Sequence, residues 1–267
     1  MEEGGRVSRR AVDEQTEQRR ADEMMRRAIG LAAQTQPHPN PRVGAVVVSG
    51  ETVVGEGAHQ CAGQPHAEVL ALHQAGDSAV GSTVYVTLEP CSHHGRTPPC
   101  TTALIDAGVA CVVVGAIDPD DRVRGSGIAE LRASGIEVVT GVLADEVEAA
   151  DAGYFHHRRT GMPRVTLKLA TTLDGQIAAA DRTSKWITGE EARLDGHRLR
   201  AASDVVMVGA GTVRDDNPRL DVRINGYVGP QPRPAIIAGS RSLPTNAALY
   251  DRDPLVYTAR PLDIPGE

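Results

Sequence analysis

Aromatic residues are scarce in this chain of 267 residues, which has one Phe, one Trp and five Tyr. Its cores must therefore be built from Val, Ile, Leu and Ala. No apolar run is long enough to cross a bilayer. The N-terminal stretch MEEGGRVSRRAVDEQTEQRRADE also lacks the apolar segment of a signal peptide. Positive charge is not in excess either: the formal net charge of −7 argues against non-specific nucleic-acid binding, although it leaves room for a local basic pocket. Cysteine is limited to four residues. Without an export signal, the expected setting is a reducing cytoplasm, where cysteines act as ligands or catalysts before they pair as disulfides. No internal repeat is found, and no GxGxxG follows a strand, so a Rossmann reading has little support. The length suits two domains.

Residues 1–19 read as a charged, poorly ordered tail. From Arg20 to about Ala33, apolar residues recur at helical spacing until PHPNPR stops the helix. VGAVVVSGETVVGEG reads as a hairpin with a Ser-Gly turn. A short helix over Glu68–Ala75 follows, then a TVYVTL strand, then a PPCTTALIDAG helix with Pro in its first turn and Gly108 at its end. ACVVVGA, GSGIAELRASG and IEVVTG continue as strand, helix and strand. The alternation predicts α/β layering with a largely parallel sheet portion over residues 20–160. ADEVEAADAGYFHHRRTGMP is read as one closing helix and a linker. A second unit, 161–267, opens with VTLKLATTLDGQIAA. It continues through a helix near Glu190–Ala202, then DVVMVGAGTV, with further strands at PAIIAG and PLVYTA.

The densest chemistry lies in TLEPCSHHGRTPPC, Thr87 to Cys100, where two cysteines, two histidines and a glutamate crowd together. Upstream, His66 and Glu68 open a helix directly after GQP. One imidazole and two thiolates can hold Zn²⁺ and leave its fourth tetrahedral position for water, whose pKa the metal lowers. A carboxylate that is not a ligand can then move protons between water, a ring nitrogen and a leaving amine. Histidine–x–glutamate followed by proline–cysteine and a second cysteine is the pattern of zinc deaminases acting on nucleobase-like rings. Those enzymes usually place two residues between the cysteines, whereas SHHGRTPP separates Cys91 from Cys100. Pro98 and Pro99 suit the return of the second cysteine at a helix start. The structural alternative is a closed zinc knuckle with His93 or His94 as fourth ligand, which would leave Glu68 without a task. Cys111 sits in an apolar strand and reads as core; Cys61, in a loop, is uninformative.

HPNPRVG, GEGAHQCAGQPHAEVLAL, YVTLEPCSHHGRTPPC and KLATTLDGQIA…SKWITG together resemble the bifunctional riboflavin-biosynthesis deaminase–reductase family. The resemblance runs from about Met24 to the last residue. It implies an α/β fold: a cytidine-deaminase-like zinc domain followed by a dihydrofolate-reductase-like domain. It also implies hydrolytic deamination of 2,5-diamino-6-ribosylamino-4(3H)-pyrimidinone 5′-phosphate, then NADPH-dependent reduction of the ribosyl to the ribityl chain. By the same resemblance His66, Cys91 and Cys100 are the Zn²⁺ ligands and Glu68 the proton shuttle. Asn40, His59, His93 and Arg96 then touch the pyrimidine or its ribose phosphate. Each has a physical rationale: an amide bonds a ring edge in both senses, imidazoles donate to oxygens, and a guanidinium forks onto phosphate. For His59 and His94 the plain alternative is a solvated loop imidazole.

In the reductase part the resemblance assigns Ala170, Trp186, Thr212, Asp216 and Ser240 to the NADPH site. It assigns Ser184, Arg200, Leu220 and Arg223 to the substrate site, with Lys168 nearby. Trp186 could instead be a core aromatic, and Arg200 a solvated helix residue. Two departures stand out. The family usually reads Asp-Pro-Asn-Pro where this chain has DPDDRVRG, so Asp120 puts an anion near the expected phosphoribosyl arm unless Arg122 or Arg124 neutralises it. The sequence also stops at RPLDIPGE, before the family's further strands, helices and glycine pair. On that reading the reductase domain is C-terminally incomplete, and the expectation is deamination without reduction. Two rival readings are a nucleoside or transfer-RNA deaminase and a non-catalytic zinc-stabilised binding module. The expected partner is a small phosphoribosyl pyrimidine, with neither nucleic acid nor membrane; the oligomeric state, homo-oligomers included, stays open.

Overall fold

The computed structural model describes residues 3–259, apart from Arg182, Ser240 and Arg241. The chain divides into two compact units, Met1–Val165 and Thr166–Glu267.

In the first unit β1 (Gly44–Ser49) and β2 (Thr52–Ala58) form the expected hairpin. Its turn uses Gly50 at φ 58°, a left-handed conformation that costs glycine nothing. Strands β3 (Thr83–Leu88), β4 (Cys111–Ala116) and β5 (Glu137–Thr140) complete a sheet of order β2-β1-β3-β4-β5. β1 runs antiparallel to β2 and β3, while β3, β4 and β5 are parallel. Helices α3 (Cys100–Asp106) and α4 (Ser126–Ala133) make the two parallel crossovers.

Glycines decide how close the outer helices lie. A Cβ on Gly44 would stand 2.0 Å from the Ala28 carbonyl oxygen of α1 (Glu3–Ala32). On Gly55 and Gly57 it would stand 2.1 and 2.2 Å from the Ala71 and Ala67 oxygens of α2 (Ala67–Ala75). Gly57 pairs across the hairpin with Ala45, the neighbour of Gly44. Adjacent strand residues face opposite ways, so α1 and α2 cover opposite faces of the sheet. The core between them is aliphatic, as the lack of aromatics requires: Val46, Val47, Val84, Val86, Val112 and Val114 are fully buried with Leu104 and Leu131. Burial of each such side chain stabilises by roughly 1.5–3 kcal/mol.

Two elements differ from expectation. The first helix begins at Glu3, in place of a tail through residue 19. No Pro occurs before Pro37, and charged or polar residues pair one turn apart, as Gln18 does with Asp22 at 2.8 Å. The closing helix is two helices, α5 (Ala144–Ala150) and α6 (Ala152–Thr160), broken at Asp151 with φ −133° and ψ 46°. The buried Asp151 carboxylate accepts the Arg42 backbone N–H at 2.8 Å. That bond ties the start of α6 to the loop that carries Asn40.

The second unit has a parallel three-stranded sheet of order β6-β7-β8, from β6 (Val205–Gly209), β7 (Arg233–Ile237) and β8 (Leu255–Tyr257). Helix α7 (Glu190–Ala201) precedes the sheet, and α8 (Ala210–Asp216) follows β6. A small core gathers Val213, Leu220, Ile236, Ala247 and Leu249. Among the described residues, 163–189 form no strand or helix. Most of the large apolar side chains there stay in solvent, with Leu167 80 % exposed.

Candidate active site

The three candidate ligands come from three elements and meet at one end of the sheet. His66 is the N-cap of α2, Cys91 follows β3 after Glu89-Pro90, and Cys100 is the first residue of α3. The long intercysteine loop closes because the Cys100 N–H donates to Cys91 Sγ at 3.5 Å and the Thr101 N–H to the Cys91 oxygen at 3.2 Å. Their donor atoms lie within 4.8 Å of one another. His66 Nδ1 is 3.1 Å from Cys100 Sγ and 3.6 Å from Cys91 Sγ, and the two sulfurs are 3.6 Å apart. Those separations are close to the edges of a tetrahedron with Zn–S near 2.3 Å and Zn–N near 2.0 Å. His66 Nε2 faces Thr97 Oγ1 at 3.2 Å, so a proton on Nε2 leaves the Nδ1 lone pair for metal. The Cys100 S–H and then His66 favour the Cys91 thiolate, whose pKa falls to about 4. That anion, then burial, pushes the Cys100 thiol up; a bound divalent cation would favour loss of this second proton. The donor set fits zinc. His93 and His94 are exposed and stand outside the donor group, which disfavours the closed knuckle.

Glu68 is 3 % exposed, and burial raises its carboxyl above the ordinary value. It lines a cavity of about 300 Å³ together with Asn40, His59, His66, Cys91, His93 and Arg96. Asn40, His59, His66, Glu68, Cys91, His93 and Arg96 thus face this space, and Cys100 lies buried at its metal end, whereas His94 and Arg124 do not line it. His59 is no solvated loop imidazole, at 2 % exposure. Its Nδ1–H donates to the Pro65 oxygen at 3.1 Å, and its Nε2 accepts from Asn40 Nδ2 at 3.0 Å. Both ring nitrogens are used within the protein, and burial lowers its pKa, keeping the ring neutral. The Asn40 carbonyl is left for a ligand.

Several residues of the site escape sequence reasoning. Glu89, 4 % exposed, accepts four backbone amides: Gly125 and Asp118 at Oε2 (2.9 and 3.4 Å), and Gly127 and Ile128 at Oε1 (3.1 and 3.4 Å). It caps α4, which has no side-chain cap of its own. The Tyr154 hydroxyl of α6 donates to Asp118, 2.9 Å from Oδ1. Burial raises both groups, so the phenol stays a donor. Arg122 holds Asp120 through Nε at 3.0 Å and Nη2 at 2.7 Å, with Arg158 of α6 at 3.4 Å. This pairing keeps the Asp120 carboxyl well below the usual range, so of the two arginines named for the task it is Arg122 that neutralises the anion in DPDDRVRG, joined by Arg158. Arg124 instead reaches Asp121 at 3.2 Å. Glu89 sits inside the quoted ligand-rich stretch, which could have flagged it; Tyr154 and Arg158 carry no signal beyond their spacing of one helical turn.

In the second unit the implied residues are dispersed in character. Trp186 is 71 % exposed under the Arg193 guanidinium, 4.7 Å from the ring centroid, and is not core. Arg200 is half-buried and donates to the Asp221 oxygen at 3.0 Å, while Arg223 pairs with the Asp221 carboxylate. The Leu220 side chain packs in the small core, so only its backbone, at φ 57°, is free to meet a ligand. Thr212 and Asp216 lie on α8 directly after Gly209 and Gly211, above which a Cβ would meet open space. Ala170 and Ser184 lie in the segment without regular structure, and Ser240 falls outside the described residues.

A one-histidine, two-cysteine centre beside a buried, non-ligating glutamate, carried on helix starts over a mixed sheet, defines a zinc deaminase domain. The family described as cytidine and deoxycytidylate deaminase zinc-binding region matches residues 18–116, and the RibD C-terminal domain matches residues 163–264. The riboflavin biosynthesis protein RibD of Synechocystis is 44 % identical over 94 % of this chain and 67 % of its own length. That of Escherichia coli is 50 % identical over 74 % and 55 %, and that of Mycobacterium tuberculosis 43 % over 91 % and 74 %. The chain thus spans between about half and three quarters of these relatives. Among solved structures, Acinetobacter baumannii RibD superposes with a TM-score of 0.83 at 40 % identity, covering 92 % of this chain and 75 % of that one. The Thermotoga maritima deaminase/reductase gives 0.85 at 37 % identity, covering 93 % and 73 %. The chain belongs to the RibD family of bifunctional riboflavin-biosynthesis deaminase/reductases.

Proposed function

We propose that the first unit hydrolytically deaminates 2,5-diamino-6-ribosylamino-4(3H)-pyrimidinone 5′-phosphate, and that the second belongs to the NADPH-dependent reduction of the ribosyl to the ribityl chain. The observation that carries the reading is the buried Glu68 carboxyl, not a ligand, lining the same cavity as His66 and Cys91. His66, Cys91 and Cys100 would hold zinc, which would lower the pKa of a water in its fourth position. Asn40, fixed by His59, presents its carbonyl to a ring amine. Glu68 takes the proton released by the water and returns it to the ring nitrogen. A second transfer through the same carboxyl accompanies ammonia as it leaves the ring carbon. Burial moves the Glu68 pKa toward neutrality, the direction that suits a group which both accepts and returns protons. The four cysteines are all free, in keeping with a reducing, cytoplasmic setting.

Ammonia release from the phosphoribosyl diaminopyrimidine, measured together with metal content, tests the deaminase half. About one zinc per chain and steady release are expected; zinc-loaded protein that releases no ammonia would sink the reading. For the second half, ribityl product formed at the expense of NADPH is the measurement, and its absence in a chain that also fails to bind NADPH would count against reduction.

A further inference from the structure

Helix α6 forms one wall of the deaminase cavity and carries Tyr154 and Arg158 one turn apart. The Arg158 guanidinium stands over the Tyr154 ring, 5.3 Å from its centroid, and Nη1 reaches Asp120 at 3.4 Å. Asp120 does not depend on that contact, because Arg122 already holds both carboxylate oxygens and donates its backbone N–H at 3.1 Å as well. Among the described residues Arg158 has no other acceptor, so most of its five donors are unused. The wall combines the Asp118 and Asp120 carboxylates with the Arg122 and Arg158 guanidiniums; Asp118 is engaged by the Tyr154 hydroxyl and Asp120 by Arg122, which leaves the donors of Arg158 open toward the cavity. Arg122 is the outer member, with its side chain 69 % exposed and its fork engaged. Arg158 is the inner one, 32 % exposed and held flat by ring and anion, so little conformational freedom remains to be lost on binding.

We propose that Arg158 is a specificity-determining residue that reads the phosphate of the substrate, with Asp120 and Tyr154 as the residues that position it. The inference builds on the deaminase function proposed above, whose substrate has a phosphoribosyl arm. It assigns a use to the anion that replaces the family's amide: Asp120 holds a cation at the cavity wall, and Arg122 cancels the repulsion Asp120 would otherwise exert. A planar fork with free donors is the group best matched to a phosphomonoester.

The test compares the zinc-loaded wild-type chain with Arg158→Gln and Arg158→Lys. Ammonia release is followed on the phosphorylated pyrimidine and on its dephosphorylated ribosylamino counterpart. Arg158→Gln is expected to raise KM for the phosphorylated compound about tenfold or more, with kcat within about twofold, and to leave the dephosphorylated compound unaffected. Arg158→Lys, which keeps charge but not the fork, should fall between, and it carries the comparison if the Gln variant does not fold. An equal rise for both compounds, or no rise for either, overturns the proposal. Calorimetric binding of ribose 5-phosphate needs no turnover and separates this inference from the deaminase reading. Wild type should bind it about tenfold or more tightly than Arg158→Gln, and equal binding would refute the role of Arg158 even in an inactive protein.

Discussion

Glu89→Gln replaces a buried anion by an amide of the same shape, so its effect isolates hydrogen bonding from packing. In the native site each carboxylate oxygen accepts two backbone N–H groups, from Gly125 and Asp118 on one side and from Gly127 and Ile128 on the other. A glutamine offers one oxygen and one NH₂. Whichever way it turns, two main-chain donors face another donor in a position 4 % exposed to solvent. Each such unsatisfied group costs about 1–3 kcal/mol, so the loss is roughly 2–6 kcal/mol, and α4 also loses the charge at its N-terminus. For a unit of this size that corresponds to a fall in Tm on the order of 10 °C. Escape by local movement is restricted, since a Cβ on Gly127 would already stand 1.9 Å from the Pro90 oxygen. Urea unfolding of zinc-loaded protein, followed by far-UV circular dichroism, measures the loss. The sole tryptophan, Trp186, lies in the second unit and gives that unit a separate fluorescence signal. Cys91 follows Glu89 by two residues, so zinc retention against a chelator should weaken in parallel. A variant within about 0.5 kcal/mol of wild type, the range of ordinary surface changes, would refute the capping role.

Glu68→Gln should keep zinc and the fold yet lose nearly all ammonia release, because an amide carries no proton; retained turnover would remove Glu68 from its role. Asp120→Asn should show a pH-dependent stability difference from wild type. Arg122 lowers the folded pKa of Asp120, so its pairing is fully present above the unfolded value near 4 and is lost as pH falls through the lower folded value. Urea midpoints of the two proteins should therefore converge below about pH 4, and a gap unchanged in acid would show that the charge contributes nothing. The same substitution should raise KM by releasing Arg158; a lowered KM would mean that repulsion of the substrate phosphate prevails.

Much of the first unit was readable because its signals are local. The short apolar strand runs, the Ser-Gly turn and the Pro-Pro-Cys helix start each follow from a few consecutive residues, and β3 occupies the TVYVTL stretch predicted for it. The ligand set was readable for another reason: few combinations of imidazole, thiolate and carboxylate suit a catalytic zinc, and this chain presents one of them within two short segments. The helix break at Asp151 was not readable, since AADAGY carries ordinary helical residues and the deciding partner is the amide of Arg42, far away in sequence. The start of α1 at Glu3 was missed because a high density of charge resembles a solvated tail as much as a solvated helix face.

By itself the sequence determined the chemistry available to this protein: an aliphatic α/β core, three zinc donors, a carboxyl beside them and a second unit of the reductase type. Only the tertiary structure decided which other polar groups join that chemistry. Glu89 became the cap of a distant helix, His59 the holder of Asn40, and Tyr154 and Arg158 a wall of the cavity. The physical reason is that residue type limits what a side chain can donate, accept or bind, whereas its partner is set by chain crossings. Here β3, β4 and α6 bring residues dozens of positions apart to within about 3 Å, the ordinary hydrogen-bonding distance.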